Sequence, residues 1–256
     1  MEKMNIQKEF ILRCVEEGKR ADGRGLEDFR KVEIEHNPIE NAEGSARVKI
    51  GETDVIVGVK LGTGEPFPDK PDDGVLIVTA ELSPIASPKF EPGPPREGAI
   101  ELARVVDRGI RESGSIDTKK LCITPKEKVW CVFVDVQIIN HGGNLIDAYS
   151  LAALTALMNT KMPEYDGEKI DYSKKTKPFP LKDKPIAVTV CKLGNSLVVD
   201  PSLEEEEHIE ARLTVTTKEN GNVAALQKGG GPLSLEEIEK AIALSVKKGK
   251  ELRSLL

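Results

Sequence analysis

One order of segments occurs twice along this chain, and it limits the folds available. Short runs of alternating β-branched residues are followed by a segment of helical period, first in the N-terminal part and then again in the C-terminal part. In the first round Val32 and Ile34, then Ala46, Val48 and Ile50, then Val55, Val57 and Val59 alternate with other residues between Asn-Pro, Glu-Gly and Gly-Glu-Thr turns. A period of two puts one face of each run on a core, so these runs predict a β-meander. The nearly continuous apolar face of the run over 75–82 predicts a buried strand. Pro84, Pro88, Pro92, Pro94 and Pro95 forbid a central strand or helix interior and deliver the chain to a helix over 98–113. Strands over 121–124 and 129–139 follow, and Gly142-Gly143-Asn144 opens a helix over 145–158.

The second round places strands over 186–192, 196–199, 211–217 and 223–226 before a helix over 235–255. Ser234 with Glu237 three residues on forms a capping box for that helix, and Gly229-Gly230-Gly231-Pro232 before it reads as a flexible joint. An N-terminal helix is expected from Ile6, Phe10 and Cys14, with Ile11 and Val15 widening the same face and Gly18 ending it. The fold class is therefore α/β, in the sense of a two-layer α+β domain with duplicated βα halves. It is expected as a single domain over 1–256, with a first half over 1–160, a polar lysine-rich connector over 161–185 and a second half over 186–256.

Composition narrows the function classes. Of 256 residues 39% are hydrophobic and 31% charged, an ordinary globular balance that excludes wholesale disorder. Aromatics are only 4%, so the core must be built from Val, Ile, Leu and Ala. Cys14, Cys122, Cys131 and Cys191 form no CxxC pair and read as reduced core thiols, not as a disulfide framework or zinc site. The mixed charged and apolar N-terminus is no signal peptide, and no run is long enough to span a bilayer, so the expectation is a cytoplasmic protein with no membrane partner. The net charge of -6 argues against coating nucleic acid by bulk charge. That deficit is local: Asp200, Glu204, Glu205, Glu206, Glu207 and Glu210 follow one another with no cation between them, and the rest of the chain sums to zero.

Three segments could carry chemistry. On the helix over 98–113, Ala99, Leu102, Val106, Gly109 and Ile110 share one side while Arg104, Arg108 and Arg111 share the other. Such a face is either solvated and paired with Glu101, Asp107 and Glu112, or a phosphate-tracking stripe whose arginines, one helical turn apart, reach successive backbone phosphates. The Asn140-His141-Gly142-Gly143-Asn144 turn before a helix is either a tight connection or an anion site built from backbone N–H groups. The acidic run is either a solvated helix start or a carboxylate cluster for Mg²⁺ or proton sharing. Arg212, entering the next strand, opposes the metal reading, because a fixed cation repels the ion.

The chain resembles the RNase PH family of phosphorolytic 3′→5′ exoribonucleases, and within it the ring subunits of archaeal exosomes. The resemblance rests on Arg20-Ala21-Asp22-Gly23-Arg24 with Arg30, on Gly51-Glu52-Thr53, on Ile100-Glu101-Leu102-Ala103-Arg104 after the proline-rich loop, on Asp135 leading to Gly142-Gly143, and on Asp200 leading to the acidic run. It implies an RNase PH or ribosomal protein S5 domain 2-like fold. It also makes departures readable. Where active members carry a basic pair ahead of the Ile-Glu-Leu helix, this chain has Glu97 and Gly98, with Arg96 one step earlier. Asn144 and Leu145 stand where active members complete a phosphate cradle, and Glu206 and Arg212 stand where they place two aspartates.

The resemblance thus implies a non-catalytic ring subunit, with no catalytic residue, metal or cofactor of its own. Its partners would be a catalytic RNase PH-type sister subunit in a ring of three heterodimers, RNA, and RNA-binding cap proteins. Arg104, Arg108 and Arg111, with Arg96 as a weaker member, would hold the RNA. Two other readings compete: an active phosphorolytic exoribonuclease using Glu204 to Glu207, and a purely structural interaction module that does not touch RNA.

Overall fold

A computed structural model describes residues 2–256. Helix α1 (Glu2–Glu16) precedes a meander of strands β1 (Val32–His36), β2 (Gly44–Ile50) and β3 (Thr53–Gly64), then β4 (Val75–Glu81) and helix α2 (Glu97–Ser113). Strands β5 (Cys122–Thr124) and β6 (Lys128–Asn140), helix α3 (Leu145–Asn159) and the hairpin of β7 (Lys161–Tyr165) with β8 (Ile170–Pro178) follow. The remainder is β9 (Ile186–Leu193), β10 (Ser196–Val199), the single turn α4 (Leu203–Glu206), β11 (Ala211–Thr217), β12 (Val223–Gly230) and α5 (Leu235–Arg253).

Two sheets carry the two rounds of strands. The first runs β1-β2-β3-β6-β4, with β5 also pairing β6, and the second runs β10-β9-β11-β12. All pairings are antiparallel except β4 with β6, which are parallel and joined by the long crossover through α2. Helix α3 joins the layers. It touches β2 and β3 of one sheet and β9 of the other, and Ile146, Tyr149, Leu151, Leu154 and Leu157 are buried around its circumference. A helix apolar on all sides is stable only when packed on all sides, and Ala148, Ala152, Ala153 and Ala156 leave room for the sheets to approach. Each of its buried Leu or Ile side chains contributes about 1.5–3 kcal/mol through area removed from water. The wholly buried Tyr149 resolves its polar end by donating its hydroxyl to the carbonyl of Thr79 at 2.8 Å.

Several expectations are corrected. The strand expected to be buried, now β4, exposes Ile77, Thr79 and Glu81, because it is an edge strand covered by α2 on one face only. Among the α1 residues whose burial is described, Ile11 and Val15 are buried, and they pack with Cys191, Leu193 and Val198. Ile6 and Phe10 are exposed at 66% and 49%, so these two members of the expected apolar stripe are not covered by the described residues. The segment expected as a connector holds the β7–β8 hairpin. The expected flexible joint is ordered strand instead: Gly229 and Gly230 pair with Arg212 and Ala211. A Cβ at Gly230, where φ is 74°, would lie 2.7 Å from the carbonyl oxygen of Glu210, so glycine serves close approach there, not mobility.

Candidate functional site

The Gly142-Gly143 turn, the acidic run and the start of α2 converge on one cavity of about 520 Å³. Its walls include Gly98 and Glu101 from α2, His141 and Asn144 from the turn, Glu206 from α4 and Arg212 from β11. Residues far apart in sequence meet because α3 starts where the second sheet delivers α4. Gly143, at φ 96°, is pressed against the 201–203 backbone, where a Cβ would stand 2.6 Å from the Leu203 nitrogen. Asn144 caps α3 in the left-handed region, which asparagine tolerates better than most residues.

The acidic run does not behave as a cluster. Among the described residues no group of three His, Cys, Asp or Glu side chains has the arrangement of a metal site. Its members are dispersed because α4 is a single turn, and successive side chains leave it about 100° apart. Asp200 points inward, where its carboxylate accepts the Arg30 backbone N–H at 2.8 Å and the Arg30 guanidinium at 2.6 and 2.8 Å. Arg24 and the Asn144 amide each donate to it at 3.0 Å. Burial opposes ionisation of Asp200, but the hydrogen bonds and charge of Arg30, helped by Asn144, hold its pKa below the usual carboxylate value. Glu205 is buried against Arg20, whose Nε donates at 2.6 Å, and its carboxylate closes a capping box with Ser202. Glu207 goes outward to Lys89, while Glu204 stays exposed.

Glu206 takes the position that decides what the turn can bind. Its Oε1 accepts the backbone N–H of Asn144 at 2.6 Å, so the positive end of α3 already has an anion, and that anion belongs to the chain. Burial raises the Glu206 pKa, with the Asn144 N–H and the charges of Arg212 and Arg30 working against the rise. His141 stands beside it with Nε2 3.8 Å from Oε2, and its ring stacks on Phe90 at 5.4 Å and 13°. Burial first, and then the positive charges of Lys89 and Arg30, push the His141 pKa down, which keeps the imidazole neutral. Arg212 does not reach the acidic run: its Nη2 pairs with Glu101 Oε1 at 2.6 Å. Gly229 makes that rotamer possible, since a Cβ there would lie 2.8 Å from Arg212 Nε.

Behind the cavity lies a buried carboxylate that local sequence pattern does not reveal. Asp147 accepts from the Thr189 N–H at 3.0 Å, the Thr189 hydroxyl at 2.7 Å and the Asn144 amide at 3.0 Å. Burial still dominates and raises its pKa to about 7. Asn144 is thus a hub, donating from its amide to Asp147 and Asp200 and from its backbone to Glu206. Sequence pattern places Arg20, Arg24 and Arg30 in one motif but does not say what they pair with. No local signal assigns that pairing, because Glu16, Glu17, Asp22, Glu27 and Asp28 all lie nearer to these arginines along the chain than the acidic run does.

Helix α2 presents a different surface. Ala99, Leu102, Val106, Gly109 and Ile110 are buried, while Arg104, Arg108 and Arg111 are exposed. Arg111 is held by Asp107 at 2.6 Å and by the Leu76 carbonyl at 3.1 Å, and Arg108 donates one long hydrogen bond of 3.3 Å to Gln227. Arg104 has no hydrogen-bond or ion-pair partner among the described residues. Arg96 caps the helix, exposed and paired with Glu91 at 2.5 Å; Glu97 and Gly98 follow it into the first turn, also exposed.

With a two-sheet α+β fold, duplicated βα halves and a Gly-Gly turn facing an acidic segment, the chain falls in the class of phosphorolytic-ribonuclease folds. It belongs to the 3′ exoribonuclease family, RNase PH, matching domain 1 of that family over residues 28–163 and domain 2 over residues 183–248. It is 54% identical over 252 residues to "Exosome complex component Rrp42" of Methanosarcina acetivorans, covering 98% of this chain and 93% of that protein. The protein of the same name from Thermococcus kodakarensis is 50% identical over 259 residues, covering 97% and 93%. Among solved structures, a chain of an Archaeoglobus fulgidus exosome with RNA bound to the active site superposes with a TM-score of 0.92 at 49% identity, covering 99% of both chains. A chain of an archaeal exosome core gives 0.87 at 46% identity, covering 98% of this chain and 96% of that one. Rice Rrp46, at 20% identity and a TM-score of 0.67, shares the fold.

Proposed function

We propose that this chain is the non-catalytic subunit of an archaeal-type exosome ring, acting in the cytoplasm during 3′→5′ phosphorolytic RNA degradation. It pairs with a catalytic RNase PH-type sister subunit, three such pairs closing a ring on which RNA-binding cap proteins dock. Residues 1–256 act as one unit, the two halves sharing the core around α3. The relatives that match over nearly the full length are named as exosome components, which supports the ring assignment.

The observation that carries the non-catalytic reading is Glu206 at the N-terminus of α3. Phosphorolysis needs inorganic phosphate held against the scissile bond and an acid or metal to stabilise the leaving 3′ oxygen. A phosphate entering this cavity meets the carboxylates of Glu206 and Glu101, and the one guanidinium on the wall is already paired. Glu97, Gly98, Asn144 and Arg212 supply none of the missing groups. RNA binding is assigned to Arg104 and Arg108, which stand one helical turn apart with their charges free or loosely held, assisted by Arg111 and Arg96.

The test is reconstitution. The purified chain alone is expected to release no nucleoside diphosphates from RNA in the presence of phosphate, and the complex with its sister subunit is expected to do so. Robust phosphorolysis by the isolated chain would overturn the reading. Replacing Arg104, Arg108 and Arg111 together by alanine is expected to weaken RNA binding by the complex. Its salt dependence is expected to flatten by about 0.7 log units per log unit of salt for each RNA phosphate no longer neutralised. Unchanged binding would move the arginine face to a structural role.

A further inference from the structure

We propose that the cavity between α2, α3 and α4 is a binding site for a purine base with two adjacent N–H donors on its pairing edge, guanine above all, entering as a nucleoside without phosphate. Four features of the cavity point the same way. First, about 520 Å³ holds a nucleoside with room for water, in the range of small-molecule sites. Second, Glu206 offers an acceptor edge. Oε1 is used once, by the Asn144 N–H, and Oε2 has no hydrogen-bond donor, its nearest polar neighbour being His141 Nε2 at 3.8 Å. An ionised carboxylate has about four acceptor sites, so both oxygens can take a further donor.

Third, the walls suit a flat ring. Phe90 and His141 stack on one another at the cavity, and Leu102, Leu145 and Ile146 supply apolar surface beside them. Fourth, the wall charges disfavour phosphate. Arg212 is paired with Glu101 at 2.6 Å and His141 is held neutral, so with Glu206 the wall carries two carboxylates against one guanidinium. The donor pair of guanine, N1–H and N2–H, matches a carboxylate edge. Adenine places an acceptor, N1, beside its amino group and would set a lone pair against Glu206. A hydrogen-bonding site rejects the analogue that leaves its polar groups unpaired. This site is separate from the arginine face of α2, and loss of RNA binding in the arginine variants would leave it untouched.

The experiment is calorimetric titration of the full-length chain with guanosine, inosine, adenosine and inorganic phosphate. Guanosine is expected to bind at least about tenfold more tightly than adenosine, with inosine, which keeps N1–H alone, in between. Phosphate is expected neither to bind the cavity nor to displace guanosine. Glu206→Gln keeps an acceptor for Asn144 but presents a donor to the base, and is expected to weaken guanosine about tenfold. As Glu206 also caps α3, a second variant guards against misfolding: a Cβ at Gly98 would meet only Leu82 Cδ1 at 3.8 Å, so Gly98→Phe fills the mouth without backbone strain and is expected to abolish binding. Equal affinity for adenosine, displacement by phosphate, undiminished binding in both variants, or no guanosine binding at millimolar concentration would each overturn the proposal.

Discussion

Arginines and carboxylates occur in two regions of this molecule under opposite conditions. Around Asp200, Arg20, Arg24 and Arg30 are withdrawn from water, and Arg20 and Arg30 also donate to backbone carbonyls of residues 142, 143, 199 and 200. On α2, Arg104 and Arg108 stand in solvent. A buried pair loses hydration and must recover it through geometry, so breaking it leaves a charge that nothing solvates. An exposed charge is screened and contributes little to stability, which leaves it free for a partner. The first region ties residues 20–30 to residues 199–205; the second leaves its charges open to a partner. The same residue types are therefore buried and paired in one place, exposed and available to a partner in the other.

The largest effect is expected at Asp200. Its φ of 47° is one asparagine accepts, so Asp200→Asn removes the charge with little backbone penalty and strands the guanidiniums of Arg24 and Arg30. A loss of about 3–5 kcal/mol in urea unfolding is expected; a loss below about 1 kcal/mol would show that the network is not structural and would erase the contrast with α2. Asp147 gives a pH signature of the same buried region. With its pKa raised from 3.8 to about 7, the unfolded chain releases this proton first as pH rises, so the folded state loses stability across that window and the dependence levels off above it. The contribution is up to about 1.4 kcal/mol per pH unit, and Asp147→Asn is expected to remove that part of the slope in unfolding measured across the window.

The Glu101–Arg212 pair sits between the two regions, with each side chain about one-third exposed. Glu101→Gln is expected to cost under about 1 kcal/mol by thermal melting, and a larger loss would place this pair with the buried network. The exposed region should answer least of all in stability. Replacing Arg104 and Arg108 by alanine is expected to change it by less than about 0.5 kcal/mol, whereas the RNA affinity of the assembled complex falls.

Periodicity made most elements legible. The β1–β3 meander, both helices flanking β6, and the Ser234 capping box follow from alternation, turn residues and caps that act within a few positions. Sequence pattern fails where a neighbour distant along the chain decides. Whether β4 is covered once or twice depends on what lies beyond α2, and whether Ile6 or Ile11 is the inner side of α1 depends on where β9 and β10 pass. Glycine at 229–231 carries the same ambiguity, since a residue without a side chain suits both a hinge and a tight crossing, and only the position of Arg212 and Glu210 distinguishes them.

The site divides in the same way. The arginine side of α2, the isolation of the acidic run and the odd placement of Arg212 are all visible in the sequence, because helical phase and charge count are local properties. The run's dispersal is not: Asp200 goes to Arg30, Glu205 to Arg20, Glu206 to the α3 N-terminus and Glu207 to Lys89. These pairings join segments up to 185 residues apart, and no local rule chooses among them. Local pattern therefore settles which elements form and which faces are apolar. That the deficit of six charges is largely absorbed by partners is a product of tertiary packing, because a carboxylate's role depends on the donors within about 3 Å of it, and folding alone brings those donors there.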